Sequence, residues 1–115
     1  MSTVIYKICS QSEWRTARQS GAYEGSPDDA RDGFIHFSTA TQLKGTLAKH
    51  FAGQADLVLV AVDGAVLSDD LKWEKSRGGD LFPHLYRPLA TSEAKNVTDL
   101  PLVGGKHLLP ELETR

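Results

Sequence analysis

Two short stretches hold most of the side chains in this 115-residue sequence that could carry chemistry. In the first, residues 32–42, His36 is followed closely by the hydroxyl groups of Ser38 and Thr39. A histidine can orient a ligand or move a proton through its two ring nitrogens, and a hydroxyl both donates and accepts hydrogen bonds. We therefore predict that His36, Ser38 and Thr39 belong to one ligand site.

The second stretch supplies partners for such a site. Glu74 could accept hydrogen bonds from a ribose or stabilise a developing cation, and Arg77 precedes two glycines that let a phosphate approach the backbone. His84 and Tyr86 alternate onto one face, where they could stack against a ring. We predict that these four residues complete the site, with Glu74 and His36 as its catalytic pair.

Each of these residues also has a purely structural interpretation. His36 could be a core histidine bonded to the backbone, and its two neighbouring hydroxyls could be helix caps. Glu74 could be a solvated partner of Arg77. His36, Glu74 and His84 have ligand types that suit zinc, but their sequence separations fix no geometry, and we predict no metal site.

The elements that position the first stretch follow from local patterns. Residues 3–9 alternate as a strand, and Ser10 with Glu13 forms a capping box that begins a helix ended by Gly21. Residues 21–32 are rich in Gly, Ser, Pro and Asp and are predicted to form a loop. Residues 34–37 then form a short strand that places Phe34 on the same face as His36.

The remaining elements are predicted in the same way. A second capping box, Thr39 with Gln42, begins a helix that runs to about residue 52, and the apolar run 57–62 is a central strand. Residues 71–74 form a strand with Trp73 pointing inward, and Pro83 favours an edge strand or an extended loop over a central strand for the His84 segment. With a last strand at 94–97, two helices on short mixed strands give an α+β fold.

Bulk properties bound the class of protein. The length predicts a single domain over residues 1–115, and the net charge of −2 argues against a nucleic-acid partner. One cysteine excludes an internal disulfide, and no apolar run reaches the roughly 20 residues that span a bilayer. The first residues show no basic segment followed by a long apolar run, so we expect a cytoplasmic protein without a membrane partner.

Two motifs carry a resemblance to a known family. Gly-Phe-Ile-His-Phe-Ser-Thr at 33–39 and Phe-Pro-His-Leu-Tyr at 82–86 resemble the domain of unknown function 952 family of bacterial proteins. The resemblance also covers Ile5-Tyr6, Trp14 and Trp73-Glu74. Through that family the chain resembles the ADP-ribosylation fold, a half-open α+β sheet used by enzymes that cleave NAD.

This resemblance implies roles for particular residues. Lys7 stands where that superfamily carries a His or Arg that holds the nucleotide, and Glu74 is the candidate for its catalytic glutamate. The implied ligand is NAD or ADP-ribose, bound by Lys7, His36, Ser38 and other site residues, with ADP-ribosyl transfer as the reaction. The alternatives are a non-catalytic ligand-binding or interaction module on the same fold, and a metal-assisted hydrolase. The remaining residues predicted to bind the nucleotide are Thr39, Arg77, His84 and Tyr86.

Overall fold

Within residues 3–113, which the computed structural model describes, the chain forms eleven strands and three α-helices. The helices are α1 (Gln11–Ser20), α2 (Pro27–Asp32) and α3 (Leu43–His50). The strands are β1 (Val4–Ser10), β2 (Ala22–Tyr23), β3 (Ile35–His36), β4 (Ser38–Thr39), β5 (Leu57–Asp63), β6 (Leu71–Lys75), β7 (Leu81–Leu85), β8 (Leu89–Ala90), β9 (Ala94–Leu100), β10 (Leu102–Val103) and β11 (Lys106–His107). All strand pairs are antiparallel, which confirms the α+β class.

The main sheet has the strand order β4-β1-β5-β9, and β5 is central, as its unbroken apolar run predicted. Six consecutive residues of β5 are buried because apolar clusters cover both faces of the sheet. Helix α1 and the second, smaller sheet contribute to one cluster, and α3 and the chain after β11 contribute to the other. None of the helices in the described chain is long and apolar enough to cross a membrane.

Helix α1 begins and ends where the sequence predicts. Ser10 accepts a hydrogen bond from the backbone N–H of Glu13, and Glu13 accepts one from the backbone N–H of Ser10. Such reciprocal caps stabilise a helix start by about 1 kcal/mol. Gly21 ends the helix at φ 92°, in the left-handed region that suits glycine.

The prediction of a loop over residues 21–32 is wrong. This segment contains the short strand β2 and the helix α2, so the chain has one helix more than expected. Ser26 caps α2, Pro27 occupies its first turn, and the Asp29 carboxylate accepts a hydrogen bond from the backbone N–H of Ser26. Residues 21–32 have a turn-forming composition, and the capping box within them is hard to recognise because its third helical residue is aspartate rather than glutamate or glutamine. The two hydrogen bonds of this capping box hold Asp29 at a fixed place.

The second sheet, with strand order β3-β7-β6, corrects two further predictions. Strand β7 is central rather than an edge. The carbonyl group of Pro83 accepts a hydrogen bond from the N–H of Phe37, so it points away from β6, to the side of β7 where β3 has already ended. The N–H that proline lacks would point to that same side. Its absence therefore removes no hydrogen bond between β7 and β6. Trp73 points outward and is 41% exposed, because the opposite face of β6 is the one directed toward His84.

Residues 35–39 join the two sheets. Strand β3 pairs with β7, and after Phe37 the chain continues into β4, which pairs with β1. The pairing of β4 covers only Ile5 and Tyr6, so from Lys7 onward that edge of β1 has no strand partner among the described residues. A cleft therefore opens where the two sheets diverge.

The second capping box lies one turn away from the helix it was expected to begin. Thr39 and Gln42 cap a short 3₁₀ turn at Ala40–Gln42, and α3 follows it and ends at His50 rather than near residue 52. The last predicted strand, 94–97, is the first half of the longer β9.

The chain after β11 returns to the first strand. The Tyr6 hydroxyl donates a hydrogen bond to the carbonyl of Glu113 at 2.8 Å and accepts one from the N–H of the same residue at 2.7 Å. Leu109 and Leu112 pack against the cluster on that face of the sheet, and Lys95 pairs with the Glu113 carboxylate.

We expect Tyr6→Phe to lower the free energy of unfolding by about 1–2 kcal/mol, since it removes two hydrogen bonds of modest net strength. Urea unfolding measures the loss, and amide hydrogen exchange at Glu113 reports release of the segment. Lys95→Ala is the control: it removes only an exposed ion pair and is expected to cost less than about 1 kcal/mol. Unchanged protection of Glu113 in Tyr6→Phe would contradict this account.

Candidate functional site

A cavity of about 260 Å³ lies along the open edge of β1, where the two sheets diverge. Its walls come from β1, α2, β3, β4, α3 and β7, so residues that are far apart in sequence meet there. The polar side chains that line the cavity include Lys7, Asp29, Asp32, His36, Ser38, Thr46, Ser76 and His84.

Asp29 is the most heavily bonded of these residues. Its carboxylate accepts from the ammonium group of Lys7 at 2.8 Å, from the backbone N–H of Ser26 at 2.9 Å, and from both the backbone N–H and ring Nδ1 of His36. The side chains of Lys7 and Asp29 are only 5% and 2% exposed. Helix α2 places this carboxylate by its capping box, and β1 brings Lys7 to it.

These contacts decide the ionisation of Asp29. Burial acts to raise the pKa of the Asp29 carboxyl, but the hydrogen bond from His36 and the charge of Lys7 outweigh it. The pKa of Asp29 therefore lies well below its ordinary value. A buried ion pair with supporting hydrogen bonds thus forms one wall of the cavity.

His36 is placed between two carboxylates. Its Nδ1 bonds to Asp29, and its Nε2 lies 3.0 Å from the Oδ2 atom of Asp32 at the end of α2. The hydrogen bond from Arg31 is the main cause of a lowered pKa for Asp32. Both ring nitrogens of His36 already face protein partners, so a ligand can reach either one only by displacing a carboxylate.

His84 has a different arrangement. Its Nδ1 lies 2.8 Å from Oε1 of Glu74, and the Tyr86 hydroxyl donates to the same oxygen at 2.7 Å. The hydrogen bonds from Tyr86 and then His84 lower the pKa of Glu74, so the carboxylate is ionised at neutral pH and His84 Nδ1 is the donor. Among the described residues, none bonds to Nε2 of His84, although the ring lines the cavity.

An aromatic side chain covers the two histidines. Phe34 stacks on the ring of His84 with centroids 4.0 Å apart and contacts that of His36 at 4.6 Å. Tyr86 lies at 5.2 Å from Phe34. The shared face of Phe34 and His36, predicted from alternation, is confirmed. These packed rings hold the imidazoles at 5.5 Å from each other.

Comparison with known proteins identifies the family of this chain. The family model described as "Protein of unknown function (DUF952)" matches residues 8–97. The chain belongs to the DUF952 family. Among curated proteins no match was found.

Solved structures agree with this assignment. The crystal structure of protein CC0527 from Caulobacter crescentus is 53% identical to this DUF952 chain, with a TM-score of 0.89, and the match covers 92% of this chain and 94% of that one. The solution NMR structure of CC0527 is also 53% identical, with a TM-score of 0.81 and 90% coverage of both chains. The segment matched to the family model begins at Ile8, directly after the lining residues Tyr6 and Lys7, and includes the rest of the cavity wall.

The DUF952 structure brings together part of the predicted site. Lys7, His36, Ser38 and His84 line the cavity. Glu74 and Tyr86 lie behind His84 rather than on the cavity surface, and Thr39 turns into the cap of the 3₁₀ segment. The side chain of Arg77 lies outside the described part of the structure, so its predicted role stays a prediction.

Sequence reasoning missed Asp29, the residue that joins Lys7 to His36. The available signal was Ser26 followed three residues later by an acidic residue, with Pro27 between them, which indicates a helix start. Within residues 3–113, no group of three or more His, Cys, Asp or Glu side chains is arranged to hold a metal ion. Cys9 is buried outside the cavity, and burial raises its pKa to about 12.

Proposed function

We propose that this DUF952 protein binds a nucleotide of the NAD or ADP-ribose class in the cleft. The observation that carries the proposal is that Lys7, His36, Ser38 and His84, on four different strands, line one cavity. Its volume of about 260 Å³ is near the lower end of small-molecule sites. A cavity of that size takes a nucleoside-sized part of the ligand and leaves the phosphates toward the opening.

The position of the cleft supports a comparison with the ADP-ribosylation fold. That fold is a half-open sheet, and here β1 loses its partner on one edge at Lys7, where the cavity begins. Lys7 is the residue that the family resemblance assigned to nucleotide binding, and its ammonium group reaches the buried Asp29 at this point.

ADP-ribosyl transfer is the reaction that this ligand would undergo. The bond between the ribose C1′ and nicotinamide breaks, nicotinamide leaves with the electron pair, and an acceptor group bonds to C1′ and loses its proton. Glu74 is the candidate that stabilises the cationic sugar. Its side chain lies outside the cavity and is 40% exposed, and only Oε1 is bonded to described residues. Oε2 is therefore open to a hydroxyl of the nicotinamide ribose where that sugar extends beyond the cavity.

A second candidate is acid–base catalysis at His84 on another small polar ligand. The observation that favours it is the Glu74–His84 contact, because a carboxylate on Nδ1 fixes the tautomer and leaves Nε2 to exchange protons with a ligand. In this case Glu74 orients His84 and does not touch the ligand. Binding without turnover would instead identify a recognition module.

Amide NMR titration of the labelled protein with NAD and then ADP-ribose tests the binding proposal. We expect saturable shifts at residues 36–42 and around His84, and we expect His84→Asn to weaken them. The matched control is His107→Asn on β11, away from the cavity, which should leave the titration unchanged. The absence of shifts with both nucleotides at millimolar concentration would refute the proposal.

A further inference from the structure

The hydrogen-bond donors and acceptors of the buried side chains that line the cavity define which chemical group these side chains can hold. Ser38 is the first of three informative side chains. Its Oγ lies 2.9 Å from Oγ1 of Thr46, and the Thr46 hydroxyl donates its proton to the carbonyl of Gln42 at 3.2 Å. Since a hydroxyl has one proton, Ser38 must be the donor to Thr46. Ser38 therefore meets a ligand only as an acceptor.

His84 presents a second acceptor. The ionised carboxylate of Glu74 accepts a hydrogen bond from Nδ1, which selects the tautomer whose Nε2 carries a lone pair. The side chain of His84 is 6% exposed, and its ring lines the same cavity as Ser38. Two buried acceptors thus belong to one small space.

Lys7 is the complementary donor. An ammonium group has three N–H bonds, and among the described residues only Asp29 receives one from Lys7. The Lys7 side chain is 5% exposed and lines the cavity. Buried polar groups normally find partners, so the remaining N–H bonds require an acceptor inside the cavity.

We propose that the buried part of the cavity wall formed by Lys7, Ser38 and His84 is a subsite for neighbouring hydroxyl groups of a sugar, with Ser38 as the specificity-determining residue. Sugar hydroxyls donate to Ser38 and His84, and a hydroxyl oxygen accepts from Lys7. This inference deepens the proposed function and rests on it for the identity of the sugar as the ribose of a nucleotide. The pattern of donors and acceptors itself depends only on the protein.

The same pattern disfavours an oxyanion at this position. The dianion of inorganic phosphate has one proton, which is too few for both Ser38 and His84, and the dianion of a phosphate monoester has none. The lone pairs of the remaining phosphate oxygens would therefore face the lone pairs of the protein acceptors, which is repulsive. The charge of Lys7 is already matched by the carboxylate of Asp29 at 2.8 Å. A phosphate group of the ligand therefore lies toward the opening.

Three probes separate the two ends of such a ligand: D-ribose, inorganic phosphate and D-ribose 5-phosphate, each titrated into labelled protein and followed by amide NMR. Ribose and ribose 5-phosphate are expected to shift the amides of Ser38 and Thr46 saturably, and phosphate is expected to leave them unchanged. Shifts of these amides by phosphate, or their absence with both sugars, overturn the inference.

A matched pair of serine variants tests the role of Ser38. Ser38→Ala removes the buried acceptor and is expected to weaken ribose 5-phosphate binding about fivefold, the equivalent of one net hydrogen bond. Ser92→Ala removes an exposed hydroxyl outside the cavity and should leave binding unchanged. The amide spectrum of each free variant checks that it is folded. Equal affinity of Ser38→Ala and the unmodified protein overturns the assignment.

The two proposals fail in different ways. If ADP-ribose binds in the cleft but Ser38→Ala does not change its affinity, the sugar lies elsewhere and only the subsite inference is lost. If ribose shifts Ser38 while NAD and ADP-ribose bind nowhere, the subsite stands and the nucleotide proposal is lost.

Discussion

Replacing Asp29 by asparagine is expected to lower the free energy of unfolding by about 3–5 kcal/mol at pH 7, because it leaves the buried charge of Lys7 without a partner. The asparagine amide would place an N–H group where the carboxylate now accepts hydrogen bonds from Lys7 and from the backbone of Ser26. Urea unfolding of both proteins measures the difference. Asp29→Asn should also loosen His36, whose backbone and ring both bond to this carboxylate.

The effect has a defined dependence on pH. The pKa of Asp29 is depressed in the folded protein. Its ionised carboxylate therefore stabilises the fold fully at pH values above the ordinary pKa of 3.8, and progressively less as the pH falls below 3.8. The difference between the wild-type protein and Asp29→Asn is therefore expected to shrink between pH 5 and pH 2. An unchanged difference across that interval would show that ionisation of Asp29 does not contribute.

Asp32→Asn is the matched control. Asp32 also contacts His36, but its side chain is 36% exposed and its other partner, Arg31, is 69% exposed. Exposed pairs contribute at most about 1 kcal/mol, so the loss should be several times smaller than that of Asp29→Asn. Similar losses in the two variants would mean that burial of the Lys7–Asp29 pair is not the cause.

Glu74→Gln is expected to reduce any turnover in the cleft by about 100- to 10 000-fold, since both candidate reactions depend on this carboxylate. The two candidate reactions predict different orders of activity loss among the variants. If Glu74 stabilises a cationic sugar directly, Glu74→Gln should be more damaging than His84→Asn. If His84 is the acid–base group and Glu74 only orients it, His84→Asn should be the more damaging change.

The comparison is made on kcat and KM for each variant with NAD as the first substrate. A spectroscopic measurement accompanies it: the ¹⁵N shifts of the His84 ring should report a change of tautomer in Glu74→Gln, because the acceptor at Nδ1 loses its charge. The control is Glu24→Gln, which changes an exposed glutamate that does not line the cavity. Full activity in Glu74→Gln would exclude both mechanisms.

Local signals predicted much of the framework. The capping box of α1, the end of that helix at Gly21, and the buried strand β5 all follow from patterns within a few residues, and the structure confirms them. Periodicity also placed Phe34 and His36 on one face. It does not show which face of β6 the core covers, and the predicted inward position of Trp73 is therefore wrong.

The site itself needed long-range information. Lys7 and Asp29 are joined because β1 and α2 meet in space, and no local pattern encodes that contact. Strand β7 accommodates Pro83 at its centre because β3 is only two residues long. The length of that pairing depends on how the strands are arranged in the sheet and cannot be read from the β-propensity of single residues. The sequence therefore identifies reactive side chains better than it identifies their partners.

The bond between Tyr6 and Glu113 gives this fold a late step in its assembly. The two residues are 107 positions apart, so the contact closes a loop that spans nearly the whole chain. During synthesis, β1 can pair with β5 once residue 63 has emerged, but the apolar face that contains Leu109 and Leu112 remains incomplete until residues 109–113 have emerged from the ribosome. Nascent chains that stop short of residue 109 therefore expose an apolar patch that chaperones can bind, and residues 109–113 cover it.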